Sequence, residues 1–407
     1  MLGAVLLVSC IYSLDLIVHG LLNIFYKVRS VAPTDKVKYK KLGIILVTFV
    51  KRGYSLFMMR YEMKRLNNLY DKIYDFNNLY DAYLKARKNK RYRKEVLKFS
   101  LNLEENLIIL QNELIWGTYA QGKHREFYVY VPKVRQIKAL PFKDRVLQHA
   151  VNNILEPIFD KKFDVHSYAC RKGKGGHQAS NTLKKWLYNA EKQGVQLYCL
   201  KCDIRKYFDS VHLKTLYNVV KRKIKDKKLL WLIRQILELK TKERGIPIGN
   251  LTSQMLANLY LNELDKFVKK YLKVKKYMRY MDDFLILADN KADLHMYLKE
   301  ITSFLDNALK LELNHKTRIF PVKLGVEFVG YIHYANYIKV RTSTWKREKK
   351  SIKTALRQFE NNKIDASKVK NIVASIDGHL AHADAYTTRK RLNNYVIRKM
   401  AKGMIKE

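Results

Sequence analysis

The stretch KKYMRYMDDFLILAD, residues 275–289, places two adjacent carboxylates between two strand-like segments. Residues 277–281 combine aromatic and basic side chains in an alternating pattern, and residues 284–288 are apolar. This pattern predicts a β-hairpin with Asp282 and Asp283 at its turn. Adjacent like charges oppose each other's ionisation unless a cation neutralises them, so the pair favours a divalent-metal site. An ordinary polar surface turn is the alternative that the dipeptide alone leaves open.

A second acid-bearing strand is predicted upstream. The segment LYCLKCDIRKYFDSVHL, residues 197–213, has an apolar strand pattern that ends at Asp203, 79 residues before Asp282. That separation leaves room for a helical insertion. Three convergent carboxylates can bridge two metal ions, one lowering the pKa of an attacking hydroxyl and the other holding a triphosphate. One strand ending in an acid, followed by a hairpin with two acids, is the layout of a polymerase palm.

Three motifs together resemble the reverse transcriptase family. They are DIRKYFDSV (203–211), GIPIGNLTSQMLANLYLNELDKF (245–267) and YMDD (280–283), and they occur in the family's order. Most members carry Gln-Gly and Ser-Pro at the two ends of the middle loop, whereas here the pairs are Ile248-Gly249 and Ser253-Gln254. This form is similar to the reverse transcriptases of bacterial diversity-generating retroelements. The resemblance covers the chain from about residue 65 to the C-terminus.

The resemblance implies an α+β right-hand polymerase with helical fingers, a palm of antiparallel strands and a helical thumb. It implies fingers at 63–196, a palm with a finger insertion at 197–338 and a basic thumb at 339–407, preceded by an apolar and basic extension at 1–62. Within these segments the patterns predict a helix at 104–119, a hairpin that turns helical within 125–151, and helices across 346–407. The resemblance implies a further hairpin at 325–331. The charge run 85–95 is predicted as a solvated helix face or a contact to the template backbone.

The implied reaction is RNA-directed DNA synthesis. A primer 3′-hydroxyl, of DNA or RNA, attacks the α-phosphate of a dNTP on an RNA template, with two Mg²⁺ ions for which Mn²⁺ can substitute. By the resemblance, the ions are held by Asp203, Asp282, Asp283 and the backbone carbonyl of Ile204. The three aspartates are the expected catalytic residues, and catalysis is mainly positioning and charge stabilisation.

Five further residues match the family's dNTP-binding positions. Arg135 matches the triphosphate-binding Arg, whose planar fork suits phosphate geometry, and Lys133 is a neighbouring candidate. Phe208 matches the aromatic that lies against the sugar and implies selection of deoxynucleotides. Gln254 ends the loop expected beside the templating base, and Lys316 matches a Lys near the leaving pyrophosphate.

The subtype hypothesis is error-prone cDNA synthesis in a diversity-generating retroelement, with misincorporation opposite template adenine and a small basic accessory protein as partner. A phage-defence or retron-type reverse transcriptase would share every catalytic residue. A non-catalytic RNA-binding protein that kept the fold is an alternative of a different class. We recognise no endonuclease, RNase H or maturase zinc segment, so we expect other proteins to supply any template removal or target cleavage.

Composition favours a nucleic-acid partner independently of the motifs. The chain has 80 Lys and Arg against 37 Asp and Glu, a net charge of +43, and 47% hydrophobic residues. This describes a folded protein suited to a polyanion, although ribosomal and membrane-surface proteins can be as basic. Four Cys are too few and scattered for a disulfide framework, which favours a cytoplasmic location.

Two sequence patterns offer alternative metal sites. Cys199 and Cys202 are spaced as in zinc and redox motifs, but residues three apart on a strand point to opposite faces, so we expect core packing. His379 and His382 have helical spacing and could chelate a metal. The family resemblance instead favours a thumb helix at this position.

The N-terminal segment does not share the family pattern. Residues 2–26 are almost wholly apolar and a basic stretch follows, which suits a membrane anchor in length and flanking charge. Asp15 near the centre opposes insertion. We expect residues 1–62 to be a mis-assigned start or a dispensable extension, with membrane-tethered action as the alternative.

Overall fold

The computed structural model describes residues 65–130 and 134–404. The expectations for residues 1–62 and for Lys133 fall outside these ranges. The described chain combines α-helices with antiparallel sheets, so the expected α+β class is confirmed. Within these ranges, every helix is too short or too polar to cross a bilayer.

The elements follow the chain in a mixed order. The α-helices are α1 Tyr70–Tyr74, α2 Phe76–Arg87, α3 Lys94–Leu101, α4 Leu103–Ile115, α5 Phe142–Asp160, α6 Gly176–Lys192, α7 Tyr207–Ser210, α8 Leu213–Lys221, α9 Lys227–Ile236, α10 Leu251–Lys266, α11 Lys291–Phe304, α12 Thr342–Glu360, α13 Ala366–Ala381 and α14 Tyr386–Met404. The strands are β1 Arg125–Val129, β2 Arg135–Ala139, β3 Tyr198–Asp203, β4 Lys276–Tyr280, β5 Asp283–Ala288, β6 Arg318–Pro321, β7 Val326–Phe328, β8 Tyr331–His333 and β9 Ile338–Val340.

Strand β3 lies inside a four-stranded sheet with the order β4-β5-β3-β6, in which all neighbours are antiparallel. Alternate side chains of a strand point to opposite faces. On one face, Leu183 and Leu187 of α6 join Cys199 and Leu285 in a buried cluster that also includes Phe328 of β7. This face therefore carries the odd-numbered residues of β3 and β5, including Asp203 and Asp283.

Helix α10 packs on the opposite face and is fixed there by hydrogen bonds. The hydroxyl of Tyr277, on β4, donates to Asp265 of α10 at 2.6 Å. The hydroxyl of Tyr207, on α7, donates to the carbonyl of Ala257 at 2.7 Å. The helical insertion expected between the two acid-bearing strands is thus present as α7–α10, and its last helix supports the sheet.

The predicted hairpins and helices are confirmed where the structure describes them. Strands β4 and β5 form the hairpin predicted within 275–289, and β1 and β2 form the hairpin predicted at the start of 125–151, where α5 follows. Strands β7 and β8 form the hairpin expected at 325–331, and β8 continues to His333. The helix predicted at 104–119 is α4, which ends at Ile115, just before Gly117 turns the chain with φ +70°.

The charge run 85–95 differs from its prediction as one helix face. It spans the end of α2, a turn in which Asn89 has φ +61°, and the start of α3. The pattern could not reveal this break because Asn and Lys tolerate both helix and turn, and Asn is among the residues that accept a left-handed backbone.

The C-terminal helices α12–α14 pack on one another, and the helices predicted across 346–407 are confirmed as far as Met404, the last described residue. Their shared core contains Ile352, Leu356, Val369, Leu380 and Val396. The backbone amide of Ile338 on β9 donates to the carboxylate of Asp384 at 2.7 Å, and the Asp384 amide donates back to the Ile338 carbonyl at 2.9 Å. These reciprocal bonds attach the bundle to the three-stranded sheet β7-β8-β9.

Candidate active site

Three carboxylates gather at one end of the four-stranded sheet. Asp203, the last residue of β3, faces Asp283, the first residue of β5, in the antiparallel register. The amide of Ile204 donates to the carbonyl of Asp282 at 3.3 Å, which ties the end of β3 to the hairpin turn. Directly facing residues have Cβ atoms roughly 5 Å apart. The three aspartates expected to act together are therefore neighbours in the fold.

The hairpin turn between β4 and β5 consists of Met281 and Asp282. Met281 has φ +57°, a left-handed conformation that is uncommon for a residue with a large side chain. A two-residue hairpin turn requires positive φ, so the turn type explains the conformation. The carbonyl of Met281 accepts a hydrogen bond from Nη1 of Arg279 at 3.0 Å.

The electrostatic environment disfavours charge on Asp282. Burial is the main cause that raises the pKa of its carboxyl, and the charge of Asp203 raises the pKa further. Its own backbone amide, Arg135 and Lys201 act in the opposite direction, and the net pKa shift is upward. A site that holds carboxylates against this tendency gains from a bound cation.

Lys201 supplies a positive charge beside this group. Its Nζ atom forms an ion pair with Oδ1 of Asp283, and it lies on β3 two residues before Asp203. Burial lowers the pKa of Lys201 to about 8. The sequence motifs do not identify this lysine, although a charged residue within an otherwise apolar strand is a signal for it.

Asn314 forms hydrogen bonds with Asp203 at the end of β3. The sequence patterns did not identify it either. Its amide donates to the carbonyl of Asp203 at 2.7 Å, and its Nδ2 donates to the Asp203 carboxylate at 3.0 Å. The neighbouring Leu313 pairs with Ile204 as an isolated antiparallel bridge. Lys316, exposed on the same loop, has its backbone amide bonded to Oδ1 of Asn314 at 3.1 Å. The loop with Lys316 is thus anchored directly to Asp203.

The donor set fits the metal that the family resemblance implies. Carboxylate and carbonyl oxygens are the ligands that Mg²⁺ prefers. In the described part of the chain, no three His, Cys, Asp or Glu side chains are gathered tightly enough to chelate one ion. Asn314 occupies one oxygen of Asp203, and the Lys201 ammonium neutralises Asp283. The types of ligand atom therefore suit Mg²⁺. Two of the three carboxylates, those of Asp203 and Asp283, also have partners within the chain.

The β1–β2 hairpin brings Arg135 toward the carboxylates. Arg135 is exposed at the start of β2, and its charge lowers the pKa of Asp282. Strand β2 also contacts the loop before α10, because the amide of Lys138 donates to the carbonyl of Ile248 at 3.2 Å. Gly249 has φ +111°, and a Cβ there would lie 3.0 Å from Ile137. The positive φ favours glycine here, and the tight contact with Ile137 adds to that preference.

Phe208 is half-buried on the short helix α7. Its ring meets the Tyr207 ring edge-on, with 5.6 Å between centroids. The Phe208 carbonyl accepts from the amide of Ile246 at 2.9 Å, so the same loop that contacts β2 also holds α7. The structure thus links two of the expected dNTP-binding residues, Arg135 and Phe208, through residues 246–249.

Gln254 has a different environment from the other expected site residues. It lies in the first turn of α10 and is half-buried. It borders a small cavity of about 50 Å³ with Asn152 and Glu156 of α5 and with Cys170. The three aspartates do not line this cavity, so the structure does not bring Gln254 and the carboxylates into one pocket.

The cysteine and histidine patterns have partners within the protein. Cys199 and Cys202 are unbridged and buried on opposite faces of β3, and burial raises the pKa of Cys199 to about 12 and that of Cys202 further. His379 lies 2.8 Å from Glu348, and His382 Nε2 lies 2.7 Å from the hydroxyl of Ser180. The His379 contact thus joins two C-terminal helices, α13 and α12, whereas the His382 contact joins the end of α13 to α6.

Comparison with known proteins agrees with the arrangement of the three carboxylates. The model of a family described as reverse transcriptase (RNA-dependent DNA polymerase) matches residues 123–333, a span that includes Arg135 and all three aspartates. Protein YkfC of Escherichia coli (strain K12) is 30% identical over 284 residues, which cover 58% of this chain and 73% of that protein.

Further relatives are encoded by introns. The group II intron-encoded protein LtrA of Lactococcus lactis subsp. cremoris is 28% identical over 328 residues, covering 62% of this chain and 53% of LtrA. The putative COX1/OXI3 intron 1 protein of Saccharomyces cerevisiae is 24% identical over 287 residues, covering 54% of this chain and 34% of that protein. The chain thus spans about half the length of LtrA and a smaller share of the yeast protein.

Proposed function

Because the chain belongs to the reverse transcriptase family, we propose that it is an RNA-directed DNA polymerase that extends a primer 3′-hydroxyl with dNTPs on an RNA template. The observation that carries this proposal is the pairing of Asp203 with Asp283 beside the Asp282 turn. Three carboxylates at one sheet end match the requirement of nucleotidyl transfer for a site that concentrates negative ligands around divalent ions.

Mg²⁺ bound by Asp203, Asp282, Asp283 and the Ile204 carbonyl would supply charge neutralisation at the attacking and leaving oxygens. The chain's own contribution is positioning. Asn314 orients the Asp203 carboxylate, and Lys201 holds Asp283. Arg135, whose charge lowers the pKa of Asp282, has the planar fork that binds a triphosphate in two parallel hydrogen bonds.

The remaining site residues are assigned roles by the family resemblance. The ring of Phe208 would exclude a 2′-hydroxyl. Hydrogen bonds from the Tyr207 hydroxyl to Ala257 and from the Ile246 amide to the Phe208 carbonyl hold α7 in place and oppose a shift of the ring. Lys316 would stabilise the leaving pyrophosphate from the loop that Asn314 fixes to Asp203. Gln254 would act through the loop at 248–254, and Lys133 is assigned to the triphosphate from its sequence position alone.

We assign the fingers to 63–196, the palm with its insertion to 197–338 and the thumb to 339–407. The net charge of +43 suits a protein that contacts the phosphates of a primer–template duplex. On α12, Lys346, Arg347, Lys349 and Lys350 are exposed, which supports an electrostatic role for the thumb.

Two subtypes are supported by different observations. The Ile248-Gly249 and Ser253-Gln254 pairs favour error-prone cDNA synthesis in a diversity-generating retroelement, with a small basic accessory protein. The similarity to LtrA, an intron-encoded protein, favours a group II intron reverse transcriptase. Errors concentrated at template adenines would support the first subtype, and faithful cDNA would support the second or a defence or retron enzyme.

The test is RNA-templated primer extension by the full chain with Mg²⁺, followed by sequencing of the cDNA. Asp282→Asn removes a carboxylate at nearly constant volume and is expected to lower the extension rate by about 10²-fold or more. Asp289→Asn is the matched control, because Asp289 is exposed just beyond the far end of β5. RNA binding should be similar in all three proteins. Full extension by Asp282→Asn would reject the proposal.

A further inference from the structure

Arg279 is the largest fully buried side chain of the described residues, with 0% of its surface exposed. It lies on β4, two residues before Met281, and all five of its N–H donors are used. Nε and Nη2 donate to the two oxygens of Asp265 at 2.7 and 2.6 Å. The remaining donors contact Ser167 Oγ at 3.0 Å, Asn258 Oδ1 at 3.2 Å and the Met281 carbonyl at 3.0 Å.

Such a residue is costly to bury unless every donor is satisfied. A charge moved out of water loses several kcal/mol of solvation, which a paired charge and further hydrogen bonds must offset. Here Asp265 on α10 provides a two-bond partner, and the hydroxyl of Tyr277 donates to the same carboxylate at 2.6 Å. Burial is the largest single influence on the pKa of Arg279 and lowers it, but the charge and hydrogen bonds of Asp265, with Tyr277 and Tyr207, together raise it, so the net pKa shift is upward and the guanidinium stays charged.

The backbone of Arg279 is fixed as firmly as its side chain. Its amide donates to the carbonyl of His166 at 3.0 Å, and its carbonyl accepts from the amide of Tyr168 at 3.0 Å. The segment 166–168 therefore forms an isolated parallel bridge with β4 at the edge of the sheet. The position from which Arg279 reaches the turn is determined on both sides.

Arg279 approaches the turn from the face opposite to Asp203 and Asp283. It shares the α10 side of the sheet with Tyr277. In a trans peptide, the carbonyl and the following N–H point in opposite directions. Because the Met281 carbonyl points to Arg279, the N–H of Asp282 points away from α10. It lies beside the Asp282 carboxylate, whose pKa it lowers.

We propose that Arg279, oriented by Asp265, is a positioning residue for the polymerase reaction. It holds the Met281 carbonyl, maintains the left-handed turn and thereby directs the Asp282 carboxylate toward Asp203 and Asp283. The proposal rests on the proposed function for the identity of the reaction. The position of the Asp282 carboxylate, however, also affects metal binding, which can be measured without catalysis.

The test begins with Arg279→Lys in the full chain. An ammonium keeps the charge and can pair with Asp265, but a single point charge cannot also span Asn258 and the Met281 carbonyl. We expect kcat for primer extension to fall about 10- to 100-fold, because small misplacements of reacting groups have effects of this size. The Kd for primer–template and the KM for dNTP should stay within about twofold of the unaltered protein.

The second variant removes the buried ion pair altogether. Arg279→Met combined with Asp265→Leu replaces two charges with apolar groups of similar volume, a change that is often neutral for stability. This double variant should fold, lose the Met281 contact and show the same loss of kcat. Mn²⁺ binding, measured by electron paramagnetic resonance, should weaken in both variants, and this readout needs no catalysis.

Glu263→Gln is the matched control. Glu263 is buried on α10, two residues from Asp265, and pairs with Arg222, Lys223 and Lys266 rather than with the hairpin. Its variant should lose stability while keeping kcat and Mn²⁺ affinity. A folded double variant with unaltered kcat and Mn²⁺ binding would overturn the proposal. An equal loss of Mn²⁺ affinity in Glu263→Gln would overturn it as well, whereas absence of cDNA from the unaltered chain would reject the proposed function alone.

Discussion

Lys201 and Asp283 form an ion pair across the antiparallel strands β3 and β5, on the sheet face that also carries Asp203. The ammonium lies 4.7 Å from the centre of the Phe328 ring, so it sits between a carboxylate and an aromatic face. A cation over a ring is stabilised by the ring's quadrupole. The chain therefore compensates part of the negative charge at the candidate metal site with its own lysine.

Lys201→Gln should make the protein depend more on Mg²⁺ for stability. Without the ammonium, the partly buried carboxylate of Asp283 has no compensating charge, and the free energy of unfolding in metal-free buffer should fall by about 1–2 kcal/mol. Mg²⁺ should restore part of this loss, so its addition should raise Tm more in the variant than in the unaltered protein. Thermal unfolding with and without Mg²⁺ measures both effects. Lys275→Gln, at an exposed position, should change neither, and an equal Mg²⁺ shift in all three proteins would contradict this account.

Arg135→Lys should weaken dNTP use without abolishing catalysis. Lysine keeps the charge but loses the two parallel hydrogen bonds that an arginine makes to phosphate, so the KM for dNTP should rise about tenfold. Steady-state kinetics at saturating primer–template measures the change. Arg125→Lys is the control, because Arg125 is exposed at the other end of the same hairpin. A similar KM for both variants would remove Arg135 from the triphosphate site.

Phe208→Ala should relax the choice of sugar. Removing the ring opens space where a 2′-hydroxyl would otherwise clash, so the preference for dNTP over NTP, as a ratio of kcat/KM values, should fall about 10- to 100-fold. The anchoring of α7 by Tyr207 is untouched by this substitution. Single-nucleotide incorporation with paired dNTP and NTP substrates gives the ratio. An unchanged ratio would show that another group excludes ribonucleotides.

A hydrogen-bonded chain connects the end of α13 to the β7-β8-β9 sheet through α6. His382 Nε2 lies 2.7 Å from Ser180 Oγ, which lies 2.6 Å from His333 Nε2, and His333 Nδ1 lies 3.1 Å from the Val326 carbonyl. A carbonyl only accepts, so Nδ1 of His333 donates and its Nε2 accepts from Ser180. His382 Nε2 then donates to Ser180, and this arrangement requires His333 to be neutral.

The hydrogen bonds of His333 lead us to expect a loss of folding stability in acid. Burial lowers the pKa of His333 to about 4, below its unfolded value near 6.5, so only the unfolded state gains this proton between those pH values. The contribution of neutral His333 to the free energy of unfolding is therefore complete above pH 6.5, and it declines by at most about 3 kcal/mol toward pH 4. The difference in free energy of unfolding between His333→Gln and the unaltered protein should therefore be smaller at pH 4 than at pH 7. Denaturant unfolding at the two pH values measures it. His295→Gln, at an exposed position, should show a pH-independent difference.

The sequence was sufficient for the carboxylates because their signals are local. Asp203 ends an apolar strand, and Asp282 and Asp283 interrupt a hairpin pattern, so neighbouring residues alone indicate their places. That Asp203 faces Asp283 also depends on the register of the antiparallel pair, which the structure provides.

The support of the hairpin could not be predicted in the same way. Arg279 is surrounded in the sequence by Met278 and Tyr280 and resembles any basic residue in a strand. Its partners Ser167 and Asp265 lie 112 and 14 residues away and meet it only after α10 packs on the sheet. Lys201 and Asn314 were missed for the same reason, since their contacts to Asp283 and Asp203 cross 82 and 111 residues.

The most direct measurement is the single-turnover rate of one dNTP addition to a primer annealed to RNA, by the full chain with Mg²⁺. We expect addition by the unaltered protein and by Asp209→Asn, whose exposed carboxylate lies six residues beyond Asp203. We expect loss of addition in Asp203→Asn, with primer–template binding retained. Addition at an unaltered rate by Asp203→Asn, or none by a folded unaltered protein that binds the primer–template, would show that Asp203 is not a catalytic residue or that the protein is not an RNA-directed DNA polymerase.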